Sequence, residues 1–352
     1  MSQKVRLGFV GTGFMGQRAH LINYIGLPDC EVVALAEPRK RIALEVASRF
    51  GVKEVYRDHH ELLKNTEVDA IVAAQPFSRH INLVPDILKA KKALLTEKPI
   101  AVLPESGEYL AKLAEENGVP YMVGYHKRSD PAVEYAKKVV ESWKQSGEYG
   151  KMRLVRITMP PGNWTGGIEG ADVISSDEPY PTIETEGPPA CFSEETGKEY
   201  VSFVNYYIHQ VNAMRFLLGE PYRVTYAEKS GALMVAESES GVCGTLEMAP
   251  YGRTLDWQET FFVGFEKGYV KVELPAPLAC QQPGVVTVYR DNGNGEPEIT
   301  RPVLPRVAAM KNQAMNFLAA VRGQKPVPCG AAEAAEDLKI AMDYISIRYR
   351  SH

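Results

Sequence analysis

Lys98 lies in the run Thr96-Glu97-Lys98-Pro99, where a carboxylate and an ammonium precede a proline and so sit on a stiff turn. An ammonium held there can orient a hydroxyl and stabilise negative charge growing on its oxygen. His209 carries the side chain that titrates near neutral pH, and can take the proton that such a hydroxyl loses. If residues 204–218 form one helix, Asn205, His209 and Asn212 fall at i, i+4 and i+7 on a single face. Tyr206 then adds a phenol one turn from the imidazole.

A third group of residues binds rather than reacts. Gly11-Thr12-Gly13-Phe14-Met15-Gly16 has GxGxxG spacing, with the apolar run Val5–Val10 before it and a helical pattern, Met15–Tyr24, after it. The first glycine permits a tight turn, the second lets backbone approach a pyrophosphate, and the third lets helix and strand pack closely. The helix amino terminus then offers N–H donors and partial positive charge. Glu37 ends the next apolar run and can accept hydrogen bonds from an adenosine ribose, which favours NAD. Arg39 and Lys40 follow it and could instead meet a 2′-phosphate, so NADP is the weaker alternative.

Other candidates are less specific. Gln75, Pro76 and Phe77, like the turn at Glu97 and Lys98, follow an apolar run at its carboxyl end, where open α/β sheets bind ligands. His80 could start a helix beside the cofactor loop or touch the nicotinamide half. Asn163 and Trp164 resemble a sugar platform, the indole stacking on C–H faces and the amide binding hydroxyls; a loop anchor is the alternative. Arg156 could bind an anionic substrate group. His59 and His60 begin a capped helix, and no metal site is expected.

These residues need a frame. Over the first 125 residues short apolar runs alternate with helical patterns, which predicts right-handed β-α-β units and a parallel sheet covered on both faces. Gly51 and Gly118 stop two of the helices, at Arg39–Phe50 and Pro104–Asn117. Asp130-Pro131 then caps a helix to about Ser146. After the strand Met152–Met159, residues 160–200 are rich in Gly, Pro, Ser and acids, a length of irregular chain that is usually functional. Six apolar runs between 223 and 289 have hairpin spacing, and two helices end the sequence. The expected fold is α/β: a Rossmann dinucleotide-binding domain over 1–126, then an α+β domain over 127–352 with an open, largely antiparallel sheet.

Composition narrows the partners. The chain has 352 residues and a formal net charge of -4, which argues against nucleic acid. No run of about 18 apolar residues occurs, so no membrane span is expected, and the cytoplasm is the default location. The cysteines, 5 in all, are scattered and odd in number, which predicts single thiols.

The motifs together resemble the Gfo/Idh/MocA family of glucose–fructose oxidoreductase, inositol dehydrogenase and their relatives. The resemblance rests on the GTGFMG loop, Glu37-Pro38, the stretch Gln75 to His80, Glu97-Lys98-Pro99, and Gly124-Tyr125-His126-Lys127-Arg128-Ser129-Asp130-Pro131 at the domain junction. It implies hydride transfer between a sugar-like alcohol carbon and the nicotinamide. Lys98 matches the family's active-site lysine and His209 its histidine. The family commonly has aspartate four residues before that histidine; here the residue is Asn205, which cannot act as a carboxylate base. The resemblance also places His126 near substrate and Arg128 near cofactor, and implies a homodimer or homotetramer formed through the second domain's sheet. The expected reaction is NAD-dependent oxidation of a sugar, glycoside or cyclitol. One alternative is redox-neutral glycoside cleavage through a transient ketone, with Tyr206, His126 or Glu169 supplying a second acid or base; the other is a non-catalytic sensor of NAD or sugar.

Overall fold

The computed structural model describes residues 4–166, 173–250, 256–291 and 293–350. Its chain divides into two compact units. The first comprises Met1–Tyr125, Gly170–Ser193 and Met310–Leu338, and the second the remainder. The second unit therefore begins at His126, but two later segments belong with the first, so neither unit is one continuous stretch.

In the first unit the order is β1 (Val5–Val10), a π-helical stretch Gly16–Leu21 running into α1 (Ile22–Ile25), β2 (Cys30–Ala36), α2 (Lys40–Phe50), β3 (Glu54–Tyr56), α3 (His59–Asn65), β4 (Ala70–Ala73), α4 (His80–Lys89), β5 (Ala93–Thr96), α5 (Pro104–Asn117) and β6 (Tyr121–Val123). The strands form one parallel sheet in the order β3-β2-β1-β4-β5-β6. β4 and β5 are buried along their whole length, as strands covered on both faces must be. The edge strand β3 is only three residues long, while α4 starts at His80, buries Leu83, Val84, Ile87 and Leu88, and contains Pro85. The helix expected from Met15 is present, but it opens as a π-helix, a local widening found mostly at functional sites.

The second unit holds α6 (Pro131–Ser146), β7 (Met152–Thr158), α7 (Glu194–Tyr206), α8 (Ile208–Leu218), β8 (Tyr222–Ala227), β9 (Leu233–Ser238), β10 (Cys243–Glu247), β11 (Thr260–Phe265), β12 (Gly268–Glu273), β13 (Val285–Arg290) and β14 (Glu298–Thr300). Its sheet has the order β14-β13-β12-β11-β7-β10-β9-β8. Every neighbouring pair is antiparallel except β7 and β10, which are parallel. Asp130 caps α6 by accepting from the Ala132 N–H at 2.8 Å. Two helices close the chain, α9 (Ala309–Val321) and α10 (Ala331–Arg348). Ala314, Phe317 and Leu318 of α9 join the core of the first unit beside Leu7, Phe9, Leu35 and Val72.

Among the described residues no helix is long and apolar enough to cross a membrane. All five cysteines are free thiols.

Candidate active site

The glycine loop follows β1, and each glycine there has a different neighbourhood. Gly11 has φ +96°, and a Cβ on it would overlap the Gln75 amide and the Ala74 carbonyl. A Cβ on Gly16 would overlap the carbonyl oxygen of Gly11. Gly13 has nothing within 4 Å of a Cβ, so its backbone faces open space where a pyrophosphate can approach. Phe14 and Met15 are half-buried beside it. The residues present therefore fit a dinucleotide: two glycines are required by the fold and the third leaves room for ligand.

This separates two effects that the motif alone runs together. Gly16→Ala forces backbone against backbone, which no rotamer can relieve, and is expected to cost about 1–3 kcal/mol or more of stability. Gly13→Ala is expected to melt like the parent but to bind NADH at least about tenfold more weakly, through loss of close backbone approach. Thermal melts and fluorescence titration with NADH measure both; equal melting losses would mean that Gly13 too is a packing glycine.

Thr12 is fully buried, and its N–H and hydroxyl both donate to Glu37 Oε2, at 3.1 and 3.0 Å. Its bonds thus position Glu37. The other Glu37 oxygen accepts from Arg39 Nε at 2.7 Å. Burial pushes the Glu37 carboxyl upward, but the hydrogen bonds from Arg39 and Thr12 outweigh it and hold it below the usual carboxylate range. Glu37 is a buried anion at the carboxyl end of β2, and Arg39 is committed to it, not turned out toward a 2′-phosphate. Both facts favour NAD.

The turn bearing Lys98 follows β5. Glu97 is buried and its Oε1 lies 2.6 Å from His20 Nε2, on the π-helical stretch after the glycine loop. Burial raises the Glu97 carboxyl, but the His20 hydrogen bond and the nearby positive charges of His20 and Lys98 win and hold it low. Glu97 therefore ties the lysine turn to the cofactor helix and does not itself contact ligand. The expectation for His80 is corrected. It is fully buried, its Nδ1 donates to the Ile100 carbonyl at 3.0 Å, and burial drives its pKa down to about 4. A neutral, inaccessible imidazole cannot touch nicotinamide; it braces the segment Glu97–Ile100, in which the Lys98–Pro99 bond is cis. Lys98 itself is half-buried on this braced turn.

In the second unit the expected three-residue stripe is split between two helices. The helix is interrupted at Tyr207, whose φ of -99° and ψ of -2° separate α7 from α8. Asn205 ends up exposed on α7, while His209 is half-buried on the first turn of α8. Asn212 is buried, and its Oδ1 accepts from Arg128 Nε at 2.6 Å. Arg128 is itself buried, with its guanidinium 4.5 Å from the Phe216 ring centroid. Arg128 and Asn212 are thus partners in a buried contact inside this unit.

The histidine gains a different neighbour. The His126 and His209 rings meet edge to face, with centroids 4.6 Å apart. Beside them lies a buried network that sequence reasoning missed. Lys127 pairs with Glu259 at 2.5 Å, and Gln210 Nε2 donates to the other Glu259 oxygen at 2.7 Å. Lys127 and Gln210 directly follow His126 and His209, so Glu259 clamps both backbone segments that carry the imidazoles. Nothing near Glu259 in sequence announces this. Tyr206 is half-buried, and its hydroxyl accepts a long bond, 3.4 Å, from the Gly162 N–H.

Asn163 spends its amide oxygen on Thr165 N and Oγ1, at 3.0 and 2.6 Å, which is the loop-anchor alternative. Trp164 remains 37% exposed and able to stack. Arg156 points to the sheet face opposite Val155 and Ile157, 5.1 Å from the Phe262 ring centroid. α8 packs Met214 against Gly244, which is registered with Val155, so Arg156 is on the wrong face to join His209. Gln75 is buried and Phe77 half-buried after β4, while Pro76 is exposed. Glu169 lies outside the described residues. Among the described residues one group has metal-ligand character: His59, His60 and Asp86, with ligand atoms within 4.8 Å of one another.

The fold and glycine loop define a dinucleotide-binding oxidoreductase. Residues 5–125 match the model of the oxidoreductase family with NAD-binding Rossmann fold. Over those residues the chain is similar to the Gfo/Idh/MocA family. It is 26% identical over 273 residues to scyllo-inositol 2-dehydrogenase (NAD(+)) of Bacillus subtilis, covering 72% of this chain and 71% of the relative. It is 25% identical over 345 residues to inositol 2-dehydrogenase of Rhizobium meliloti, covering 93% and 92%. Levoglucosan dehydrogenase in complex with NADH and levoglucosan has the same fold, with TM-score 0.74, 17% identity and coverage of 98% and 97%.

Proposed function

We propose that this enzyme oxidises a hydroxyl-bearing carbon of a sugar or cyclitol with NAD as the oxidant. The observation that carries the reading is Lys98: an ammonium at the carboxyl end of β5, on a turn that Glu97 ties to the cofactor helix and His80 braces from below. Bound dinucleotide supplies the hydride acceptor. Lys98 orients the reacting oxygen and stabilises negative charge that develops there. His209 accepts the hydroxyl proton. The names of the relatives, inositol and levoglucosan dehydrogenases, support a polyhydroxylated ring as substrate class.

The adjacent imidazoles favour a second reading. With His126 against His209, this unit offers two groups that can exchange protons, enough for oxidation followed by elimination of a glycosidic group. Incubation with NAD and a panel of cyclitols, sugars and glycosides, read by NADH absorbance and mass spectrometry together, decides between them. Net oxidation gives NADH and a ketone in equal amounts. Redox-neutral cleavage gives shortened sugars with no NADH. Neither product from any polyol would sink both.

A further inference from the structure

Residues 173–186 belong to the first unit and cross the carboxyl ends of its strands. The Gln17 side chain grips both backbone groups of Ile174, donating to its carbonyl and accepting from its N–H, each at 2.9 Å. The Glu178 carboxylate accepts from the N–H groups of Arg41 at 2.9 Å and Ile42 at 3.3 Å. Those are the first-turn donors of α2, a helix with no side-chain cap of its own and no acid in its first turn. The Glu186 carboxylate accepts from Val102 N at 2.7 Å, Leu103 N at 3.3 Å and the Ser106 hydroxyl. That is the amino end of α5, which also lacks a side-chain cap from its own sequence. The Glu186 N–H donates to Ser78 O at 2.7 Å. One strap therefore supplies in trans the missing caps of two helices, an arrangement favourable to both the anion and the helix.

Between these anchors sits Tyr180. Two guanidiniums lie near its ring, those of Arg39 and Arg79, at 5.0 and 5.4 Å from its centroid. Its hydroxyl donates to Gln75 Oε1 at 3.2 Å and accepts from Arg79. Arg39 is the partner of Glu37, and Gln75 borders Gly11, so Tyr180 spans the two sides of the adenosine end of the dinucleotide cleft. A planar ring held by cations and amides at that place is suited to cover a purine.

We propose that the strap 173–186 is a clasp over the adenosine half of the cofactor, with Tyr180 as its contact, and that it keeps the dinucleotide bound through successive turnovers. The anchors are several and independent, so the strap must release at least one before the dinucleotide can leave. The inference rests on NAD binding by this unit. An enzyme that retains its cofactor suits chemistry that returns the dinucleotide to its starting state, so the clasp also bears on the choice between net oxidation and redox-neutral cleavage.

The test measures release, not turnover. Protein loaded with NADH is mixed with excess NAD, and loss of bound-NADH fluorescence gives the dissociation rate; equilibrium titration gives the affinity. Tyr180→Ala is expected to release NADH about tenfold faster, as loss of two part-exposed cation–π contacts implies. Tyr180→Phe keeps the ring and should stay near wild type. Glu178→Gln weakens a charged anchor remote from the ring and should also speed release, with its melting temperature showing that the unit is folded. NADH should slow protease cleavage within 173–186 in the parent protein. Unchanged release in both Tyr180→Ala and Glu178→Gln overturns the clasp. Slower release or tighter binding in Tyr180→Ala also overturns it, because the ring would then be a competitor for the purine's place. Failure of the parent to bind NADH at all would instead remove the underlying cofactor reading.

Discussion

Replacing Lys98 with methionine is expected to lower turnover about a hundred- to a thousandfold while NADH affinity stays close to that of the parent. The estimate is that for removing one preorganised charge from a developing oxyanion. Methionine keeps the length and apolar contacts of the lysine stem and removes only the ammonium. The turn itself is held by the Glu97–His20 pair and by the His80 bond to the Ile100 carbonyl, so it should persist. His209→Ala is expected to cost about a hundred- to ten-thousandfold, the span for a general base, and added imidazole should restore part of the loss. If the two act together as proposed, combining them should cost less than the product of the single effects. Asn205→Ala should change the rate little, because that side chain is exposed on the far side of the Tyr207 break. Steady-state kinetics with NADH titrations on the same samples check all four. Normal turnover in Lys98→Met or His209→Ala would remove these roles.

Lowering the pH from 7 to 4 should destabilise the first unit by about 3 kcal/mol through His80 alone. The sign follows from the direction of the shift. In the unfolded chain this imidazole takes up its proton near 6.5, whereas in the fold burial postpones uptake to about 4. Between those values the unfolded chain binds the extra proton, so acid favours unfolding. The contribution is complete above pH 6.5 and is lost progressively as the pH falls toward 4. His80→Gln removes the titration and keeps a donor for the Ile100 carbonyl. Urea unfolding at pH 7 and 4.5 should therefore show a smaller acid loss in the variant than in the parent, although the variant starts less stable. Equal losses would mean that His80 is accessible to protons in the folded state.

Much of this architecture could be read in advance because its signals are local. Gly51, Gly118, Gly147 and Gly219 all end helices with positive φ, between 62° and 71°. Asp130 and Pro131 start α6 with the bond that their types predict. The parts that could not be read are made by residues distant in sequence. α2 and α5 look uncapped until Glu178 and Glu186 arrive from the strap. The interruption at Tyr207 carries neither glycine nor proline, so an unbroken apolar period hid the one discontinuity that matters for His209. Arg128 and Asn212 have the composition of ligand-binding groups, and only burial reveals that each satisfies the other. The same holds for Thr12 and Glu37, where a motif residue serves the residue that reads the ribose.

The return of α9 to the first unit has a consequence for synthesis. Phe317 is fully buried, and with Ala314 and Leu318 it completes a core begun by Leu7 and Phe9. On the ribosome the strands of that sheet emerge first, yet the surface that α9 covers stays wet until Ala309–Val321 has been made, after the strands of the second unit. Such long-range closure is slow and leaves apolar surface open to wrong partners. Aggregation of the nascent chain is therefore a hazard while the second unit is translated, and emergence of α9 from the exit tunnel is the event that lets this core close.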